Sequence, residues 1–238
     1  MIYMARILLL LLFLSVFSLQ AQDQQKILFS DALSANMGTY TARVDEALEL
    51  GEIDFAKSLF DSLVKNKLQG TYLDKLEFEN LNNSFLNSTE KLERPTLILT
   101  YSSWCIPSEG EIPALNKLAE RYEGLVDFIV LFWDSKSTVK KEAKKFSNAI
   151  QVAYVDEKQN KHMKTVNLLK HALGISLSYV VGADGQILDI NRRPPNQLGI
   201  SPNELVNQNL TFLSRQIAAI NLDLNINIQD LPESLATF

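Results

Sequence analysis

The chain of 238 residues holds one cysteine, two histidines and two tryptophans. A single cysteine excludes an internal disulfide, and it excludes any site that needs two thiols of one chain. The histidines, His162 and His171, stand nine apart, off the i, i+4 spacing of a helical metal pair, and no other ligand types cluster beside them. Neither a metal site nor a cofactor is expected. Positive charge is also scarce: 23 Lys and Arg face 28 Asp and Glu, for a net charge of −5. No basic patch interleaved with aromatics occurs, which argues against nucleic acid as a partner. The lysines at Lys140, Lys141, Lys144 and Lys145 have the spacing of one solvated helix face. With 46% hydrophobic and 21% charged residues, the composition is that of a globular protein long enough to bury a core.

The first 21 residues read differently. Arg6 is a short positive start, Ile7 to Leu19 holds apolar residues and serines, and small Ala21 precedes a cleavage position. This is the pattern of a secretory signal peptide cut after Ala21, and the stretch is short for a membrane span. An uncleaved anchor is the alternative; membrane contact would then be through this segment alone. No cysteine follows the apolar run, so a lipid anchor is not supported. The expected location is secreted or periplasmic, where disulfides persist. An odd cysteine there pairs with another molecule or stays a free thiol.

Periodicity divides the remainder. Tyr40, Val44, Ala47 and Leu48 recur at steps of three and four, and the pattern stops before Gly51, a plausible helix C-cap. Phe55, Ala56, Leu59, Phe60, Leu63 and Val64 form a second stripe on a helix opened by Asp54. The two helices make a hairpin with some likeness to a tetratricopeptide unit, but no second copy follows. From Leu76 the pattern alternates around Asn82-Asn83, as in a β-hairpin. TLILTY and LVDFIVLFW read as buried strands, and QVAYV as a third candidate. Helices are expected around Ile112–Tyr122, Val139–Phe146 and Val166–Leu173. SYVV and QILDI flank a turn at Ala183-Asp184-Gly185. The last helix opens at a capping box, Ser201-Pro202 with Glu204. Strands alternating with helices predict an α/β mixed sheet with helices on both faces. Trp133 and Tyr179 are expected in the core.

The cysteine stands in SSWCIPSEGEIPALNKL, between a strand and a helix expected to begin near Ser108. A thiolate at a helix N-terminus is favoured by the dipole and by unpaired backbone N–H groups. Glu111 fits the favoured first-turn acid.

Over roughly Leu76 to Ile220 the sequence resembles the thioredoxin superfamily, in particular its secreted TlpA-like and ResA-like branch. Trp104, Cys105 and Pro107, with Glu111, Pro113 and Leu115, occupy the places of that family's Trp-Cys-x-Pro-Cys and Glu-x-Pro-x-Leu. LGISLSYVVGADGQI is similar to its Gly-[Ile/Val]-Pro-Thr, strand, and Asp-Gly-x-Ile. The resemblance implies a thioredoxin-like mixed sheet flanked by helices, here with an N-terminal helical hairpin. The implied division is a signal peptide at 1–21, a helical region at 22–75, a thioredoxin-like domain at 76–222 and a tail at 223–238.

Two departures from the family stand out. Ser108 replaces the second, resolving cysteine, and Ser176 replaces the cis-proline that borders the thiol. A cis bond before a non-proline residue costs about 2.5–4 kcal/mol, so a trans bond is expected before Ser176. The implied site has Cys105 as catalytic residue, with Trp104, Ile106, Pro107, Ser108 and Ser176 as substrate-binding residues. Two functions are compatible with it. One is monothiol disulfide exchange or isomerisation on protein thiols and disulfides or a small thiol. The other is a catalytically degenerate module that binds a protein partner in the cell envelope.

Overall fold

Alternation within the strands decides how the sheet is covered. The computed structural model describes residues 26–81, 85–87, 92–105, 108–194 and 199–224. The expected signal segment, Ile106, Pro107 and nearly all of the expected tail lie outside the described residues. Seven strands form one sheet: β1 (Glu77–Asn80), β2 (Phe85–Asn87), β3 (Thr96–Tyr101), β4 (Asp127–Phe132), β5 (Ile150–Tyr154), β6 (Leu177–Val181) and β7 (Ile187–Arg192). Their order across the sheet is β2-β1-β5-β4-β3-β6-β7. β3, β4 and β5 pair in parallel, whereas β6 and β7 on one side and β1 and β2 on the other are antiparallel. With helices on both faces, this is a mixed α/β sheet preceded by a helical hairpin.

β3 is buried along its whole length. Leu97, Leu99 and Tyr101 enter one core and Ile98 the other, as the period of two requires. The first of these cores is closed by α3 (Glu111–Arg121), α4 (Lys136–Glu142) and α6 (Pro202–Leu224), through Leu115, Leu118, Val139, Leu213 and Ile217. The second is closed by α5 (Met163–Val166) with the π turn after it, and by the N-terminal hairpin. Trp133 and Tyr179 are 5% and 0% exposed, in the core as expected.

The hairpin consists of α1 (Phe29–Glu49) and α2 (Ile53–Leu63). It packs on the sheet: Phe29, Ala32, Leu33, Phe60 and Leu63 share a core with Ile98, Tyr179 and Ile187. α1 starts well before the stripe read from Tyr40. Its N-cap, Leu28, has no side chain able to cap. Asp74, 1% exposed, does this instead, accepting from the backbone N–H and the hydroxyl of Ser30, each at 2.8 Å. A carboxylate there meets the positive end of the helix. Further out, the hairpin holds only a small core of Ala47, Ala56 and Leu59. Leu48 and Phe55, read as buried positions, are 53% and 45% exposed; among the described residues, the core at that end of the hairpin is the small one of Ala47, Ala56 and Leu59. Among the described residues, no helix is long and apolar enough to cross a membrane.

Candidate functional site

Cys105 follows the end of β3 by four residues. The chain turns there: the Cys105 N–H donates to the Ser102 carbonyl at 2.9 Å. Asp134, just past β4, holds this turn from the neighbouring strand. It accepts from the Ser103 N–H at 2.8 Å and from the Ser103 hydroxyl. β3 and β4 are parallel neighbours, so their C-terminal ends lie side by side and the loop that leaves one is within reach of the other.

The helix after the cysteine begins later than its expected start near Ser108. α3 opens at Glu111, and its N-cap is Gly110. The charge effect of a helix end fades within the first turn, so α3 is less directly available to the sulfur than the sequence suggested. Ser108 is neither the cap nor a surface group. It is 8% exposed, and its hydroxyl accepts from Asn209 Nδ2 of α6 at 3.0 Å. Asn209 also donates to the Leu205 carbonyl at 2.7 Å, so the cysteine loop is tied to the first turns of α6. Gly110 permits this approach. A Cβ on it would lie 2.3 Å from the Leu205 carbonyl carbon and 2.4 Å from the Val206 nitrogen.

Ser176 reaches the sulfur from the loop before β6. Its Oγ lies 3.0 Å from Cys105 Sγ. No cis peptide bond occurs among the described residues, so the bond before Ser176 is trans. The residue has φ of +64°, a left-handed conformation that costs a non-glycine residue roughly 1–2 kcal/mol. Neighbours hold it there. The Ser176 carbonyl accepts from the Arg193 N–H at 3.1 Å. The next residue, Leu177, donates its N–H to Thr100 Oγ1 at 3.1 Å. Thr100 Oγ1 in turn donates to the Leu177 carbonyl at 3.2 Å. A side chain thus continues the β3–β6 ladder past its last backbone pair, Leu99 with Ser178.

Proline at this position would need φ near −65°. Ser176→Pro is therefore expected to destabilise the protein by more than about 1 kcal/mol, read as a lowered thermal midpoint. An unchanged midpoint would mean that the loop exchanges readily between the two conformations.

A buried charge pair lies beneath these loops, and neither of its roles was read from the sequence. Arg193 and Glu111 have side chains only 6% exposed each, and Arg193 Nη1 donates to Glu111 Oε1 at 2.6 Å. The same oxygen accepts from the Tyr101 hydroxyl at 2.6 Å. Arg193 Nη2 donates to the Thr100 carbonyl at 2.8 Å, and the guanidinium lies 4.0 Å from the Tyr101 ring centre. Burial opposes the charge on Arg193, but Glu111, Tyr101 and Cys105 together hold its pKa above the usual arginine value. Burial, with Glu111 close by, pushes Tyr101 well above the usual tyrosine range, so Tyr101 remains a donor. Arg193 is the charge the motif did not announce. The only hint in the sequence was the basic pair Arg192-Arg193 at the end of a strand.

The structure thus brings Cys105 and Ser176 into contact and places Ser108 below them. Trp104, beside the cysteine, is 65% exposed. Ile106 and Pro107 lie outside the described residues.

No protein-family model matches the chain, and no curated protein matches it. Solved structures resemble it in fold. A thio-disulfide isomerase from Thermus thermophilus is 16% identical, with a TM-score of 0.46, covering 63% of this chain and 96% of its own. A secreted Mycobacterium tuberculosis disulfide oxidoreductase is 14% identical, with a TM-score of 0.41, covering 58% and 96%. A peroxiredoxin-like protein from Aquifex aeolicus is 18% identical, with a TM-score of 0.42, covering 62% and 87%. At these values the functional reading rests on the chain's own residues.

Proposed function

We propose that the chain is an extracytoplasmic thioredoxin-like protein that exchanges thiols and disulfides through the single thiol of Cys105. The observation that carries this is the contact of a partly exposed cysteine with the hydroxyl of Ser176, whose carbonyl accepts from the N–H of the buried Arg193. The thiolate is the attacking form in exchange. Cys105 attacks one sulfur of a substrate disulfide. The S–S bond breaks, a mixed disulfide forms on Cys105, and the other substrate sulfur leaves as a thiolate.

Release then needs a second thiol. Ser108 supplies none, and its hydroxyl is engaged by Asn209. A second thiol of the substrate, or a small external thiol, attacks the mixed disulfide and frees Cys105. Attack from the substrate reshuffles its disulfides without net oxidation, which is isomerisation. Trp104, Ile106, Pro107 and Ser176 form the substrate-facing surface in this reading, and Ser108 supports it from below. The chain divides into a signal peptide (1–21), a helical region (22–75), a thioredoxin-like domain (76–222) and a tail (223–238).

A second reading is a binding module of the same fold that has lost exchange, and it contacts a protein partner in the cell envelope. The exposed Trp104 and the left-handed Ser176 loop favour it. One experiment separates the two. The full chain is mixed with an aromatic disulfide, and the adduct on Cys105 is followed by intact mass. Exchange predicts an adduct formed about tenfold faster by the folded than by the urea-unfolded chain, and none on Cys105→Ala. An adduct that forms only on unfolding sinks the enzyme reading and leaves the binding module.

A further inference from the structure

Soluble proteins bury most large apolar side chains and expose the rest singly, so a cluster of exposed ones marks a contact surface. Nine large apolar side chains are exposed among the described residues, and four of them fall within the eight residues around the turn of the N-terminal hairpin. Leu48 and Leu50 lie at the end of α1, Ile53 and Phe55 at the start of α2, with Leu50 68% and Ile53 57% exposed. Residues 45–55 also carry five acids, Asp45, Glu46, Glu49, Glu52 and Asp54, all exposed, and no base. Lys57 answers Asp54 at 3.0 Å, and Arg43 lies 5.8 Å from the Phe55 ring centre. The other four acids have no ion pair among the described residues. The tip of the hairpin is thus apolar and acidic at once.

We infer that this tip docks a segment of a partner protein that is both basic and apolar. Charge complementarity selects that occupant. A second copy would bring five acids against five. The chain's own residues outside the description do not match either: 225–238 hold Asp230 and Glu233 and no base, and 1–25 hold one base, Arg6, beside Asp23. An anionic lipid surface is repelled for the same reason. Apolar side chains of the partner cover Leu48, Leu50, Ile53 and Phe55, and that burial drives the contact. Its Lys or Arg side chains meet the acids at the rim, where charge sets the rate of encounter and the choice of partner more than the affinity. α1 also leads towards the thiol's end of the sheet. Leu28, at its start, bridges to Tyr72, and Tyr72 to Gln186, just before β7. Further along, the Tyr40 hydroxyl accepts from Arg192 Nη2 at the end of β7, at 3.2 Å. β7 and β3 both run antiparallel to β6, so they point the same way, and Cys105 follows the end of β3. From Tyr40 the helix continues for about 14 Å to Glu49. Docking at the tip therefore brings a partner to that end of the molecule. It does not require a reactive Cys105: the docked protein is the substrate in the exchange reading and the envelope partner in the binding one.

The test titrates the full chain into a fluorescein-labelled helical peptide of leucine and lysine, read by anisotropy at physiological salt. Two control peptides carry serine for the leucines or glutamate for the lysines. The leucine–lysine peptide is expected to bind at least about tenfold more tightly than either. Leu50→Ser with Ile53→Ser, which changes no charge and no buried residue, is expected to weaken that binding about tenfold at an unchanged urea midpoint. Glu49→Gln with Glu52→Gln is expected to weaken it about threefold, an effect that high salt removes. Bound peptide is expected to slow hydrogen exchange at residues 45–55. Cys105→Ala is expected to bind as the parent does, so docking and thiol exchange stand or fall separately. Unchanged binding by the Leu50/Ile53 variant would mean a general pull of an acidic chain on a cationic peptide and would overturn the assignment. So would protection from exchange only outside residues 45–55, a dimer of the parent that this variant loses, or binding to phosphatidylcholine vesicles in place of the peptide.

Discussion

Arg193→Ala is expected to destabilise the protein by about 3–5 kcal/mol, measured by urea unfolding. The guanidinium is 6% exposed and holds Glu111, also 6% exposed, at 2.6 Å. Without it, the carboxylate keeps only the Tyr101 hydroxyl among the donors seen here. A buried charge with its counter-charge removed is one of the few causes of a loss this large. The Thr100 carbonyl also loses its donor. Removing both charges together, as in Arg193→Met with Glu111→Gln, is expected to recover more than half of the loss, since no uncompensated ion then remains. A single-mutant cost below about 1 kcal/mol would show that water reaches the pair and that it behaves as a surface bridge.

Gly110→Ala is expected to cost about 3 kcal/mol or more. The added Cβ would overlap the backbone of Leu205 and Val206, at 2.3 to 2.5 Å. Backbone cannot yield as a side-chain tip can, so α6 must move away from α3. That movement would break the Asn209–Ser108 bond and loosen the floor of the cysteine loop. The expected signs are a lower urea midpoint and faster alkylation of Cys105. A stability within about 0.5 kcal/mol of the parent would mean that the two helices are not in close contact at Gly110.

The elements were legible where periodicity carries them. TLILTY is a strand with two buried faces because its residues alternate between two cores. α6 begins where Ser201 stands, with the Glu204 N–H donating to the Ser201 hydroxyl at 3.3 Å, as a capping box requires. The hairpin turn at Gly51 has φ of +75°, which glycine takes without strain. The same periodicity misplaced Leu48 and Phe55. An apolar stripe says which side of a helix avoids water, not whether a partner reaches that far along it. The start of α1 was missed because its cap, Asp74, lies 44 residues away in the chain.

The site divides in the same way. By itself the sequence determined that there is one thiol, that it follows a buried strand, and that a serine stands in each position where the family it resembles has its second cysteine and its loop proline. Those are statements about residue type and order. Only the tertiary structure decided what surrounds the thiol. Ser176 meets Cys105 across 71 residues, Arg193 meets Glu111 across 82, and Asn209 meets Ser108 across 101. Hydrogen bonds form over about 3 Å in space, whereas periodicity reports only neighbours along one helix or strand. The contacts that give Cys105 its environment came into being when the sheet closed and brought the ends of β3 and β4 beside the loops before β6 and after β7.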